Sequence, residues 1–201
     1  MPTSLILAST SPYRRELLER LRLPFAVRAP DVDETPLPGE QARSLAVRLA
    51  LAKAQAVAAA APDALVIGSD QAMQLGERIV GKPGSHAAAV EQLRSASGQA
   101  ATFHTAVAVV DAAGGRVWRD CVATRVLYRR LDAAEIDAYL AAEPAYDCAG
   151  SAKAEGLGIA LVESIESCDP TALIGLPLVA VCRMLREAGV APLAGRAGTR
   201  P

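Results

Sequence analysis

The residues able to do chemistry in this chain stand where short apolar runs end. Leu65-Val66-Ile67 runs into Gly68, Ser69, Asp70 and Gln71. An apolar run of that length, bounded by turn residues, fits a strand buried on both faces of a parallel sheet. Ligands of open α/β sheets bind outside the carboxyl ends of such strands. Asp70 would stand there, with Gly68 and Ser69 leaving room for something to approach the backbone. On this stretch alone a plainer alternative stays open, an aspartate that only caps the next turn.

Phosphate chemistry needs helix N-termini, Lys or Arg to offset charge, and usually carboxylates to hold a divalent cation. The chain offers all three. Ser9 and Ser11 lie where a strand meets a helix start, with Arg14 and Arg15 in that helix's first turn. Cations there oppose the helix macrodipole, so two together suggest a compensating anion. Ordinary surface arginines are the alternative, stronger for Arg15 than for Arg14. Glu34 comes from an acidic segment in which Asp31 and Asp33 read as solvated. Lys53 follows Leu49 by four residues, which sets it beside the apolar stripe of a long helix rather than opposite it. Lys82 sits on a Gly81-Lys82-Pro83 loop. No G-x-x-x-x-G-K-[ST] pattern is present, which excludes a P-loop enzyme. No Ser-His-Asp set surrounds His86 or His104, and His104, next to Phe103 at a strand start, reads as structural.

Composition narrows the classes. The chain has 201 residues, 51% hydrophobic and 21% charged, as soluble globular domains do. Lys+Arg 21 against Asp+Glu 22 gives a formal net charge of -1, which argues against a nucleic-acid binder. Any anion site must come from local placement of basic groups. The four cysteines (Cys121, Cys148, Cys168, Cys182) form no C-x-x-C pair and no zinc spacing with the histidines. Reduced thiols in a cytoplasmic protein are expected. The first apolar run, Leu5 to Ala8, is too short for a signal peptide or a membrane span.

The elements that must position these residues follow from periodicity and punctuation. Leu5–Ala8 reads as a first buried strand, and Pro12, capped by Ser11, opens a helix to about Leu21. Phe25–Val27 reads as a second strand. A long helix spans about Ala42 to Ala60, then comes the strand at Leu65, then a hairpin turning at Gly76. His86 to Leu93 reads as a helix. Thr105–Asp111 and Arg116–Tyr128 read as antiparallel strands. Asp132 and Glu135 resemble a capping box opening a helix to about Ala142. Leu157–Val162 is expected to be another buried strand. Pro177 begins a last helix that Gly189 stops. No repeat or long linker interrupts residues 1–195, which read as one domain, and residues 196–201 read as a disordered tail.

The order of these blocks resembles the Maf nucleotide pyrophosphatases. Leu7-Ala8-Ser9-Thr10-Ser11-Pro12-Tyr13-Arg14-Arg15 is similar to the opening motif of that family. Asp33-Glu34, Lys53-Ala54, Gly68-Ser69-Asp70-Gln71, Gly81-Lys82-Pro83, Ala149-Gly150-Ser151, Asp169-Pro170-Thr171 and Gly175-Leu176-Pro177 continue it in order. The resemblance spans essentially Leu5 to Leu193. It implies an α/β, Maf/ITPase-like single domain, a central mixed sheet flanked by helices with an active-site cleft, and a homodimer. It also implies hydrolysis of a nucleoside triphosphate to monophosphate and diphosphate with a divalent cation (Mg, Mn or Co). By position, Asp70 corresponds to the general base. Ser9, Arg14, Glu34, Lys53 and Lys82 correspond to polar residues of the catalytic cleft. Glu34, with or without Asp70, would hold the cation. Arg14, Lys53 and Lys82 would offset the charge of departing diphosphate.

Three positions bear on the base. The dTTP/UTP branch carries Arg, Thr and Gln where this chain has Tyr13, Gln71 and Glu155. The chain resembles instead the 7-methyl-GTP pyrophosphatases, although their aromatic is commonly Trp. N7-methylated guanine is cationic, so an aromatic face attracts it, and a carboxylate can accept from its N1–H and amino group. Two other readings stay open: a pyrophosphatase for UTP, dTTP or modified pyrimidine nucleotides, and a non-catalytic nucleotide-binding regulator of septum formation. The expected partner is a small nucleotide, with neither nucleic acid nor membrane.

Overall fold

The computed structural model describes residues 4–193. The expected disordered tail, 196–201, lies outside the described residues. The elements are β1 (Ser4–Ala8), α1 (Pro12–Glu19), β2 (Ala26–Arg28), α2 (Ala42–Ala58), β3 (Ala64–Leu75), β4 (Arg78–Val80) and α3 (His86–Ala96). They continue as β5 (Ala100–Asp111), β6 (Val117–Tyr128), α4 (Ala133–Ala142), β7 (Val162–Glu166) and α5 (Leu178–Glu187). Among the described residues the strands form one sheet in the order β2-β1-β3-β5-β6-β7, with β4 pairing β3.

The sheet is mixed. β1 pairs parallel with both β2 and β3, whereas β3–β5, β5–β6 and β6–β7 are antiparallel. Alternation along the strands sends Ile6, Ala8, Val66 and Ala108 to one face, against Leu45, Leu49 and Ala54 of α2. Leu7, Ile67, Val107 and Val109 go to the other face, against Leu17 and Leu18 of α1 and Val181, Met184 and Leu185 of α5. Further along the hairpin, Met73, Phe103 and Tyr128 pack with Leu93 of α3 and Tyr139 and Leu140 of α4.

β3 does not stop where its apolar run stops. Antiparallel pairing with β5 carries it on to Leu75, so Asp70 lies inside a twelve-residue strand rather than at its end. The strand that does end there is β1. Its register with β3 closes at Ala8 opposite Gly68, and β4 begins to pair only at Met73. On that edge Ser69–Ala72 has no strand partner among the described residues. The site occupies this gap, beyond the carboxyl end of parallel β1.

Helix ends follow their chemistry. The Ser11 side chain accepts from Arg14 N–H at α1, with Pro12 at the first position. Asp132 and Glu135 form the reciprocal capping box of α4. At α5 the Asp169-Pro170-Thr171 segment serves as the cap: Asp169 Oδ2 accepts from Val179 N–H, and Thr171 Oγ1 accepts from Leu178 N–H. A second element departs from expectation. Leu157–Leu161 is a 3₁₀ turn, and the strand begins only at Val162, with mostly exposed residues. Gly158 packs where a Cβ would stand 2.6 Å from the Lys153 backbone N and O. The apolar run is therefore folded back onto the preceding loop and cannot extend.

Candidate active site

Four charged side chains converge in the gap beside β3. Lys53, on the sheet-facing side of α2, is only 4% exposed. Its ammonium lies 2.7 Å from Asp70 Oδ1 and 2.7 Å from Glu34 Oε1, bridging a buried carboxylate and a half-exposed one. A buried lysine needs such partners, because an unpaired charge in that position costs several kcal/mol. Arg14 reaches the same region from the first turn of α1, its Nε donating to Gly175 O at 2.8 Å. Desolvation lowers the Arg14 guanidinium from its ordinary value, against the opposing pull of Asp70 and Glu34.

Burial raises the Asp70 carboxyl above the usual carboxylate range, and the charges of Lys53 and Arg14 bring it only part of the way back. That environment suits a proton acceptor, since a base works best when its pKa approaches the working pH. Asp70 Oδ1 is held by Lys53, while Oδ2 accepts no hydrogen bond from the described residues.

The opposite face of β3 holds a turn in place. Ser69 Oγ lies 2.7 Å from Ala106 O and 3.0 Å from Gly175 O. Gln71 Nε2 lies within 3.1 Å of Thr105 Oγ1, Ala172 O and Leu173 O. Two of these partners are carbonyls, which only accept, so the amide orientation is chemically fixed and Gln71 Oε1 is left as an acceptor. Ser9, 3% exposed, accepts from Ser11 N–H through its hydroxyl oxygen. What approaches Gly68 is helix α2 and not a ligand: a Cβ there would stand 2.6 Å from Ala54 N.

A second constellation forms around Tyr13. Its hydroxyl donates to Asp147 Oδ2 at 3.2 Å, and Lys153 Nζ lies 5.6 Å from the ring centroid and 3.4 Å from Asp147 Oδ1. The Tyr13 hydroxyl and the Asp147 carboxylate hold the Lys153 ammonium above the usual lysine range. Desolvation raises the Glu155 carboxyl, with Glu143 and Asp147 adding to the rise and Lys153 opposing it. Tyr13 and Glu155 thus belong to one charged neighbourhood around Lys153.

Not every expected residue is gathered. Lys82 is exposed, and among the described residues it makes no hydrogen bond or ion pair with Asp70, Lys53 or Glu34. Its loop is fastened instead through Gly84 N–H to Tyr146 O. Arg15 pairs with Glu19 on the surface, as an ordinary arginine would. His104 Nε2 lies 3.2 Å from Gln74 Oε1 in a structural setting.

The donor set fits a hard divalent cation in part. Among the described residues no three His, Cys, Asp or Glu side chains cluster as a metal cage. Glu34 Oε1 and Asp70 Oδ1 both lie 2.7 Å from the Lys53 ammonium, so the donors left for a cation are the other carboxylate oxygens of the two residues. Two carboxylates completed by substrate phosphates and water are the usual means of holding Mg²⁺.

The family model for Maf-like proteins matches residues 4–188. The chain belongs to the Maf family. Among its relatives, a protein of Polaromonas sp. strain JS666 called 7-methyl-GTP pyrophosphatase is 61% identical over 97% of this chain and 90% of that one. Proteins of the same name from Albidiferax ferrireducens (58% identical, 92% and 94% covered) and Cupriavidus pinatubonensis (60%, 92% and 93%) are similarly close.

The contacts by which several residues of this Maf chain hold the site are not visible in the sequence, although Ser69 and Gly175 stand in blocks that it does show. Ser69, Thr105 and Gly175 act through hydrogen bonds across more than thirty positions, as in Ser69 to Gly175 with a separation of 106, and no local pattern reveals these. Asp147 and Lys153 meet Tyr13 only because α1 and the 147–153 loop come together. The Asp169-Pro170-Thr171 cap was open to local reading, since Asp and Thr two apart form Asx and Ser/Thr turns. Among the described residues, no helix is long and apolar enough to cross a membrane.

Proposed function

We propose that this Maf-family chain hydrolyses 7-methyl-GTP to 7-methyl-GMP and diphosphate. The observation that carries the hydrolytic part is the meeting of Asp70, Lys53, Glu34 and Arg14 in the gap that β1 leaves beside β3. The names of relatives at 55% identity and above support the substrate. So do Tyr13, Gln71 and Glu155, since an aromatic ring attracts a cationic base and the two acceptors suit guanine N–H groups.

In this reading Asp70 Oδ2 accepts a proton from water as the water oxygen forms a bond to the α-phosphorus. The P–O bond to the leaving diphosphate breaks, and its electron pair departs with that group. Lys53 keeps Asp70 oriented through Oδ1, and Arg14 offsets charge accumulating on the phosphates, work that is mostly electrostatic positioning. Glu34 and Asp70 are the residues that would hold a divalent cation, which would supply further neutralisation of the triphosphate. Lys82 belongs here only if its loop moves toward the nucleotide.

The test is diphosphate release from 7-methyl-GTP, GTP, UTP and dTTP with Mg²⁺, Mn²⁺ or Co²⁺. The expected result is the highest kcat/KM for 7-methyl-GTP. A preference for UTP or dTTP defeats the assignment of the base. Tight nucleotide binding with no diphosphate released under any of the three metals defeats the enzymatic reading.

A further inference from the structure

We propose that Lys153 is a placeholder cation, occupying in the free protein the seat over Tyr13 that a positively charged base takes when it binds. This rests on the reading of Tyr13 as the base platform and adds a residue to it. The ammonium lies over the Tyr13 ring at 5.6 Å and pairs with Asp147 at 3.4 Å, while the Tyr13 hydroxyl bonds the same carboxylate. Ring and carboxylate form a seat for a cation, and one of the chain's own lysines fills it.

The backbone around Lys153 is pinned. Its N–H donates to the Tyr139 hydroxyl at 3.1 Å, its carbonyl accepts from Gly156 N–H at 3.0 Å, and Gly158 lies too close to admit a side chain. The Lys153 Cα is therefore fixed, while the four-carbon stem can swing outward. Its side chain is 18% exposed and that of Asp147 is 57% exposed, so the path to solvent is short.

Displacing Lys153 costs every incoming base the cation–π contact and the ion pair. A cationic base restores both, through its ring charge over Tyr13 and beside Asp147. A neutral base restores neither. Lys153 thus raises, equally for every base, the threshold that must be met from other contacts, while the seat of Tyr13 and Asp147 favours a cationic base over a neutral one.

The experiment compares wild type with Lys153→Met, which keeps length without charge, and with Lys153→Arg, which keeps charge. The readouts are KM and kcat for 7-methyl-GTP, and calorimetric affinity for 7-methyl-GMP and GMP, which needs no turnover. With Lys153→Met, KM and both dissociation constants should fall, on the order of 3- to 10-fold, from removal of one cation–π contact and one surface ion pair. Lys153→Arg should restore wild-type affinity. A rise in KM for Lys153→Met overturns the proposal, because Lys153 would then be a direct ligand of the nucleotide. Unchanged affinity also overturns it, reducing Lys153 to packing. Tighter binding of 7-methyl-GMP with GMP unmoved overturns it too, since Lys153 would then repel from a fixed place. These outcomes stand apart from loss of the functional reading, which shows as wild-type protein releasing no diphosphate.

Discussion

Lys53 and Asp70 meet at 2.7 Å although they come from different elements, the middle of α2 and the interior of β3. The pair is nearly dry, with Lys53 4% and Asp70 7% exposed. Gly68, two residues before Asp70 on the same face, lets α2 lie directly on the strand. The contact therefore depends on helix-to-sheet distance as much as on charge. A buried pair of this kind is not in itself a source of stability, because desolvation offsets most of the attraction. Its value is in orienting Asp70, whose second oxygen is left without a hydrogen bond from the described residues.

Asp70→Asn tests that orientation. The amide still accepts from Lys53, so the fold should persist, but it cannot take a proton from water. Diphosphate release should fall by about 10²- to 10⁴-fold, the usual contribution of a positioned base. Circular dichroism and the thermal midpoint should stay near wild type. Substantial residual turnover in a folded variant would assign the base elsewhere.

Arg48 is expected to matter without touching the nucleotide. It clamps Glu40 through both carboxylate oxygens, at 2.8 and 2.7 Å, and donates to Thr35 O at 3.1 Å, next to Glu34. The Arg48 hydrogen bonds pull the Glu40 carboxyl down to about 2. A folded pKa below the unfolded value stabilises above the unfolded pKa, about 4.3 for Glu. That stabilisation disappears as pH falls through about 2. The stability difference between wild type and Arg48→Met should thus be full near neutrality and vanish at the acid end. Because the clamp holds the segment carrying Glu34, Arg48→Met should also raise the metal concentration for half-maximal activity severalfold. Equal metal dependence in the two proteins would restrict Arg48 to a stabilising role.

Much of this was legible because the local signals are strong. The α2 periodicity, the Ser11-Pro12 helix start and the Asp132/Glu135 box each come from chemistry within one turn. Lys53 stood out as a charge beside an apolar stripe, and the structure buries it. The length of β3 was not legible, since pairing with β5, from Leu65 opposite Asp111 to Leu75 opposite Ala101, extends it past its apolar run. The same non-local cause hides the gap that makes room for Asp70. Leu157–Leu161 misled because an apolar run interrupted by Gly158 has strand composition but not strand room. The contacts of Tyr13 with Asp147 and Lys153 depend on a loop docking against α1, which no periodicity encodes.

Cysteine chemistry gives a probe of that loop. Burial pushes the Cys148 thiol up to about 12, with the neighbouring Asp147 charge adding to the rise. At about pH 8 roughly one Cys148 in ten thousand is thiolate, and the thiolate is the reactive form. Cys168 is exposed. Iodoacetamide should therefore modify Cys168 first and reach Cys148 only when the 147–153 segment opens. Peptide mass spectrometry over a time course checks the order, and modification of both at the same rate would mean that the loop is open in solution.

Gly68→Ala tests the helix-to-sheet distance directly. An added methyl would collide with Ala50 O and stand 2.6 Å from Ala54 N. Both are backbone atoms of α2, so no side-chain rotation relieves the clash, and the helix must move outward. Overpacking of this kind costs about 1–3 kcal/mol, toward the upper end where backbone has to yield. Trimming the helix with Ala54→Gly should restore little, because it removes a Cβ 2.9 Å away and leaves the backbone contacts in place. Displacement of α2 also carries Lys53 away from Asp70, so turnover should fall by more than the loss of folded protein accounts for. Denaturant titration together with active-site-normalised kcat separates the two effects. A Gly68→Ala protein with wild-type stability and turnover would show that α2 does not lie this close to β3.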